Sequence, residues 1–211
     1  MSARGARDAA GMSGWIKICG LTNAAGVAAA LAARVDAIGF VLAPSVRRVT
    51  AQRAAELART VRKQLSCVAV MQHPEQSEVD EMVRELRPDM LQTDLGDFAR
   101  LHLPQRIARL PVVRASQAAP AVYPARLLFE GERSGSGETA DWTQAALLAR
   151  QTRLVLAGGL NAGNVGAAIR AVRPFGVDTS SGVESQPGVK SEEKIMEFVR
   201  VARAAFAEIE S

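Results

Sequence analysis

The 211-residue sequence predicts a single closed (β/α)8 barrel, and three observations carry that expectation. From Trp15 onward, short β-rich apolar runs alternate with longer segments rich in Ala, Leu, Glu and Arg. Several of the runs are almost continuously apolar, as parallel strands covered on both faces must be. Eight such runs occur with about eight helical segments between them, whereas the alternative, an open doubly wound sheet, needs fewer strands. Barrels of this kind usually take about 250 residues, so the connections here must be short.

The elements follow in order. The first strand spans Trp15–Cys19, and Asn23 can cap a helix running through Ala33. The second, Asp36–Leu42, leads through an arginine-bearing loop to a helix capped by Thr50 and reaching Val61. The third, Cys67–Gln72, precedes a helix over Glu75–Leu86, and the fourth, Met90–Gln92, one over Asp97–Ala108. After the fifth strand, Pro111–Arg114, the segment Gln117–Val122 supports no more than a turn. The sixth, Arg126–Phe129, enters the Gly/Ser-rich stretch Gly131–Ala140, which has the composition of a mobile lid or a plain exposed loop. A helix over Asp141–Arg150 follows. The seventh strand, Arg153–Ala157, precedes a helix over Asn161–Val172, and the eighth, Phe175–Thr179, one over Ser191–Ala207. Residues 1–14 carry charge without an apolar segment and read as a disordered extension, with Met12 as an alternative start, leaving 15–211 as the barrel domain.

Composition narrows the function. The chain is 48% hydrophobic and 23% charged, an ordinary profile for one substantial core. Net charge is +4, but the arginines are scattered and there is a single Tyr, so no nucleic-acid partner is expected. A modest positive balance suits a small anionic substrate equally well. Cys19 and Cys67 form no CxxC pair and no disulfide framework, and His73 and His102 fall in unrelated contexts, so no His-based metal site is expected. No stretch approaches the roughly 20 apolar residues of a membrane span. The expected setting is the cytosol.

In such barrels the chemistry sits at the C-terminal ends of the strands. Cys19 occupies one of those ends, although a cysteine at the end of an apolar run can also be plain packing. Cys67 begins its strand, at the closed end, and reads as structural. Gly158 and Gly159, in "LVLAGGLNAGNV", lack Cβ atoms and let the backbone approach an anion. Ser180, Ser181 and Gly182, in "GVDTSSGVE", would start a short extra helix whose free N–H groups attract negative charge. Alone, each is a tight strand exit or a helix cap. Together, after the last two strands, they predict a phosphate site.

The stretches "KICGLT", "DAIGFVLAPSVRRVT", "LQTD", "SGSGETADW", "LAGGLNAGNV" and "GVDTSSGVESQPGVKS", in this order, resemble the phosphoribosylanthranilate isomerase family of tryptophan biosynthesis. The resemblance implies an Amadori rearrangement of N-(5-phosphoribosyl)anthranilate, a small phosphosugar, to 1-(2-carboxyphenylamino)-1-deoxyribulose 5-phosphate, without a metal or other cofactor, by a monomer or a homodimer. It makes Cys19 the general base. An unperturbed thiol is only a few per cent ionised at neutral pH, so that role implies a pKa lowered by Lys17, by another cation or by helix dipoles. Lys17 shares the inward face of Cys19 if the strand alternates regularly. The resemblance also makes Arg47 of "PSVRRV" a substrate contact, with Arg48 leaving the register open by one residue, and Asp178 the group that orients the anthranilate amine. Gln92 is a further candidate polar contact.

Two departures stand out. Where the family ends its sixth strand in Leu-Leu-Asp with the general acid, this chain has "RLLFEGERSGSGETADW", which brings Glu130 to that place with Glu132 as the fallback. Partial burial would keep such a carboxyl protonated near neutrality. Where the family has Leu-Gln-Leu-His-Gly, this chain has "LQTD", and Asp94 adds a carboxylate near an anionic substrate. These departures keep two alternatives in view. One is another phosphosugar isomerase or epimerase, although paired carboxylates or metal-binding histidines are missing at matching strand ends. The other is a phosphosugar-binding barrel that has lost catalysis.

Overall fold

A computed structural model describes residues 14–116, 122–131 and 141–210, and in it eight parallel strands close into a barrel in sequence order. They are β1 (Trp15–Cys19), β2 (Ala37–Val41), β3 (Ser66–Val70), β4 (Met90–Asp94), β5 (Ala108–Arg114), β6 (Arg126–Glu130), β7 (Arg153–Leu156) and β8 (Gly176–Thr179). β8 returns to β1 in a register running from Trp15 opposite Gly176 to Ile18 opposite Thr179, which leaves no open sheet edge.

Six α-helices surround the barrel among the described residues: α1 (Ala24–Ala32), α2 (Ala51–Ala58), α3 (Gln76–Glu85), α4 (Trp142–Ala149), α5 (Val165–Val172) and α6 (Glu192–Glu210). Asn23 and Thr50 cap α1 and α2 by accepting from the backbone N–H groups of Gly26 and Arg53, and Asp141 caps α4. The expected helix over Asp97–Ala108 does not form. A 3-10 turn over Leu95–Ala99 takes its place, and the chain then runs extended into β5, which starts at Ala108. Pro104 removes a donor from the middle of the would-be helix. The Asp97 carboxylate is meanwhile drawn back to the Thr93 hydroxyl, which donates to it at 2.6 Å. The expected extension over residues 1–14 lies outside the described residues except for Gly14. That glycine is fastened, donating to the Phe175 carbonyl at 3.0 Å and accepting from Arg203. The segment Gln117–Val122 up to Ala121, and residues 132–140, which include Glu132, also lie outside them.

The strands' alternation builds two cores. Outward residues such as Ile16, Ile18, Phe40 and Phe129 pack against the helices with Val27, Met82, Ile169 and Phe198. Inward residues such as Trp15, Val68, Leu110, Leu128 and Val155 fill the lower barrel. Successive inward positions then turn polar toward the mouth. On β1 they are Trp15, Lys17 and Cys19, on β5 Leu110, Val112 and Arg114, and on β6 Leu128 and Glu130. At the floor the Phe175 ring stacks on Trp15 and lies under the guanidinium groups of Arg153 and Arg126, at 4.0 and 4.8 Å.

Closure depends on a strand without a side chain at one point. A Cβ at Gly176 would lie 2.4 Å from the carbonyl oxygen of Trp15, backbone that cannot rotate away. Gly176→Ala is therefore expected to lower the unfolding free energy by about 1–3 kcal/mol in urea titrations, through forced separation of β1 and β8.

Candidate active site

A cavity opens at the C-terminal ends of the strands. It is lined by Cys19, Gln92, Asp94, Glu130 and Asp178 from the strands, and by Arg47, Gly158, Gly159, Ser180 and Ser181 from the loops. Nearly all the residues selected from the sequence thus meet in one place. Gly182 is the exception: it stands behind the lining, where a Cβ would fall 2.0 Å from the carbonyl oxygen of Leu160.

On β1, Cys19 is 6% exposed at the cavity wall, and Lys17 lies fully buried beneath it. Lys17 Nζ donates to Asp178 Oδ1 at 2.9 Å across the β1–β8 closure. Gly39, opposite Cys19 on β2, leaves the space both side chains use, since a Cβ there would come within 2.9 Å of the thiol and 3.0 Å of Lys17 Cε. Burial pulls the Lys17 ammonium down, but the negative charges of Asp178 and Cys19 outweigh it and hold the group above its ordinary value. Burial likewise pushes the Cys19 thiol up, and the opposing pull of Lys17 does not overcome it. This corrects the expectation of a lowered pKa. Sequence shows the nearby cation, whereas desolvation depends on how completely the barrel wraps the sulfur.

The loops after β7 and β8 are locked together. Gly158 and Gly159 adopt φ of +89° and +62°, which their missing Cβ atoms permit, and the chain turns sharply around the cavity. The Asn164 amide donates to the Gly159 carbonyl at 2.9 Å, and Thr179 Oγ1 donates to the Leu160 carbonyl at 2.6 Å. The expected extra helix is a single 3-10 turn over Ser181–Val183, followed by a small hairpin of β9 (Glu184–Gln186) and β10 (Val189–Lys190). Ser180 Oγ donates to the Cys19 carbonyl at 3.0 Å, which joins the serine loop to the end of β1.

Of the two neighbouring arginines, Arg47 lines the cavity and Arg48 is exposed. Arg47 donates from Nε and Nη2 to the two carboxylate oxygens of Glu184, at 2.7 and 2.9 Å. Lys190 Nζ donates to Glu184 at 2.8 Å and to the Ser180 carbonyl at 3.0 Å. Burial alone would raise Glu184, but the hydrogen bonds and charges of Arg47 and Lys190 reverse that and hold its carboxyl at about 2. Glu184 and Lys190 carried no role in the sequence reading, although both lie within "GVESQPGVK". Their signal was proximity to the serine loop.

On the opposite wall, Glu130 is 8% exposed. Arg114, its register partner on β5, places Nη2 3.4 Å from Glu130 Oε1, while Nη1 is hydrogen bonded to Asp94. His73 Nε2 lies 3.0 Å from Asp94 on its other side, and His73 Nδ1 3.2 Å from Asp97. Arg114 was missed as a site residue, yet the period-two alternation of β5 places it inward after Leu110 and Val112. Among the described residues, His73, Asp94 and Asp97 form one group that could hold a cation, with ligand atoms within 4.8 Å of one another. A cation there would have to displace Arg114 from Asp94 and Arg100 from Asp97, so the group is a closed ion-pair network. Gln92 Oε1 is a buried acceptor with no hydrogen-bond partner in the structure and lies on the cavity wall.

A closed (β/α)8 barrel whose mouth joins a thiol, a carboxyl group and glycine- and serine-bearing loops after its last two strands defines an enzyme of the class that handles small anionic substrates. The particular family follows from comparison. The family model described as N-(5'phosphoribosyl)anthranilate (PRA) isomerase matches residues 16–201, and the chain belongs to that family. It is 39% identical over 216 residues to the N-(5'-phosphoribosyl)anthranilate isomerase of Azorhizobium caulinodans, covering 91% of this chain and 92% of that one. The crystal structure of phosphoribosyl anthranilate isomerase from Thermus thermophilus matches with a TM-score of 0.78 at 31% identity, over 90% of this chain and 98% of that chain. A phosphoribosyl anthranilate isomerase solved in complex with reduced 1-(o-carboxyphenylamino)-1-deoxyribulose 5-phosphate matches with a TM-score of 0.73 at 26% identity, over 90% and 99% of the two chains.

The Glu184 cluster makes a prediction about acid stability. Its folded pKa of about 2 lies below the ordinary 4.5, so the ionised carboxylate favours the folded state above about pH 4.5. That contribution is lost as pH falls from 4.5 toward 2. Urea unfolding across this window is expected to show a shallower decline in stability for Glu184→Gln than for the wild type.

Proposed function

We propose that this chain isomerises N-(5'-phosphoribosyl)anthranilate at the barrel mouth, with Glu130 as general acid and Cys19 as general base. Glu130 gives its proton to the ring oxygen as the C1–O bond breaks, and the anthranilate nitrogen lone pair forms the Schiff base. Cys19 then removes the C2 proton, the electron pair of that C–H bond becomes the C1–C2 double bond of the enolamine, and the C1–N π pair returns to the anthranilate nitrogen. The observation that carries this reading is that Cys19 and Glu130, 111 positions apart in the chain (130 − 19), line one cavity with the two anion-suited loops.

Burial favours the protonated thiol at rest, so Cys19 first releases its proton to solvent, and Lys17 is placed to stabilise the resulting thiolate, the form that takes the C2 proton. Gly158, Gly159, Ser180 and Ser181 hold the phosphate of the substrate, and Gly182 contributes by letting their loops pack together. Two of the five N–H donors of Arg47 are used by Glu184, which fixes the guanidinium plane and leaves the others for the anthranilate carboxylate. Gln92 offers its unpartnered oxygen to a substrate donor, which would relieve the cost of about 1–3 kcal/mol for a buried unpaired acceptor. Asp178, through Lys17, orients the base side of the site and stands near enough to the cavity to meet the amine. The ligand named for the related complex is a phosphosugar of the kind this cavity suits.

Cys19→Ala and Glu130→Gln are each expected to fold as the wild type by circular dichroism and to lose turnover by about 10²–10⁴-fold. Loss of phosphoribosylanthranilate fluorescence is the assay. Near-normal turnover in either variant removes that residue from its role.

A further inference from the structure

We infer that Arg114 is a positioning residue for the ring-opening acid, its guanidinium fork divided between Asp94 and Glu130. This rests on Glu130 being that acid. Arg114 is only 16% exposed in its side chain and stands in register with Glu130, one strand away. One arm, Nη1, is held by Asp94, whose own strand end is braced by His73. The other arm, Nη2, reaches Glu130 Oε1 at 3.4 Å, longer than a full hydrogen bond.

The division matters because an acid needs its proton. A fork closed on both oxygens of Glu130 would favour the carboxylate and leave nothing to donate. With no cation beside it, the long glutamate side chain would lose a restraint on its several rotamers. Asp94 draws the guanidinium to one side, so that Arg114 makes a directional contact with Glu130 and not a bidentate pair. The two places where this chain departs from its family's pattern, Asp94 and Glu130, are thereby joined through one arginine.

Among the described residues, β7 and its loop bring Ala157, Gly158 and Gly159, with no titratable group. Across the cavity stand Cys19, with Lys17 beneath it, Asp178 and Arg47. Arg114 and, through it, Asp94 stand on the acid's own side among the described residues.

The test reads Glu130 directly, by 13C NMR of full-length enzyme labelled at glutamate Cδ, with the resonance assigned by its absence in Glu130→Gln. Removing the cation in Arg114→Gln destabilises the carboxylate, so the Glu130 midpoint rises by about one pH unit. Removing the anion in Asp94→Asn takes away a repulsive charge and releases Arg114 toward Glu130, so the midpoint falls. In Arg114→Gln, kcat for phosphoribosylanthranilate drops about 10- to 100-fold while KM stays within about threefold, because the acid is misplaced and the substrate's own contacts remain. Arg114→Lys restores a point charge without a fork, so it recovers the midpoint but only part of kcat.

Midpoints that stay put, or that move the same way in Arg114→Gln and Asp94→Asn, overturn the inference even where Glu130→Gln remains inactive. Full turnover in Glu130→Gln overturns the assignment of the acid itself and this inference with it. If Arg114→Gln does not fold, the downward shift in Asp94→Asn and the kcat split in Arg114→Lys still decide.

Discussion

The Lys17–Asp178 ion pair is the constraint around which the site is built. It joins the first and last strands at the seam where the barrel closes, and it lies in the interior with Lys17 fully buried. Breaking a buried pair of this kind costs about 3–5 kcal/mol, because the surviving charge has no partner and no water. The pair therefore fixes the height of Cys19 above it and the exit of the Ser180–Ser181 loop beside it. Gly39 completes the arrangement by leaving the volume that the sulfur and the lysine stem occupy.

Around that pair the mouth is an assembly of compensated charges. Arg47 and Lys190 share Glu184, and Arg114 shares itself between Asp94 and Glu130. Among the described residues, the positive groups of Lys17, Arg47, Lys190 and Arg114 stand at the mouth with the carboxyl groups of Asp178, Glu184, Asp94 and Glu130. The carboxylate of Asp94, an added negative charge when seen only in sequence, is answered by Arg114 from the next strand. Packing of the β7 and β8 loops, through Thr179 and the bare Cα of Gly182 against Leu160, keeps the anion side rigid independently of these charges.

Most of the architecture was legible in advance because strand alternation is local. All eight strands fall close to their expected bounds, and the caps expected at Asn23 and Thr50 form as their side-chain chemistry implies. The failure at Asp97–Ala108 also has a local cause, since Pro104 stood in the predicted helix, but the competing pull on Asp97 comes from Thr93, His73 and Arg100. Arg114 was readable as inward-facing, but not as a partner of Asp94 and Glu130, because those contacts cross between three strands.

By itself, the sequence determined the barrel, the family and the set of groups at the strand ends, since each depends on residue type, spacing and order along the chain. Only the tertiary structure decided that Arg47 and not Arg48 lines the cavity, that burial raises the Cys19 thiol, and that one guanidinium reaches both Asp94 and Glu130. The reason is physical: desolvation and ion pairing depend on distances between residues remote in the chain, and those distances exist only once the barrel has closed.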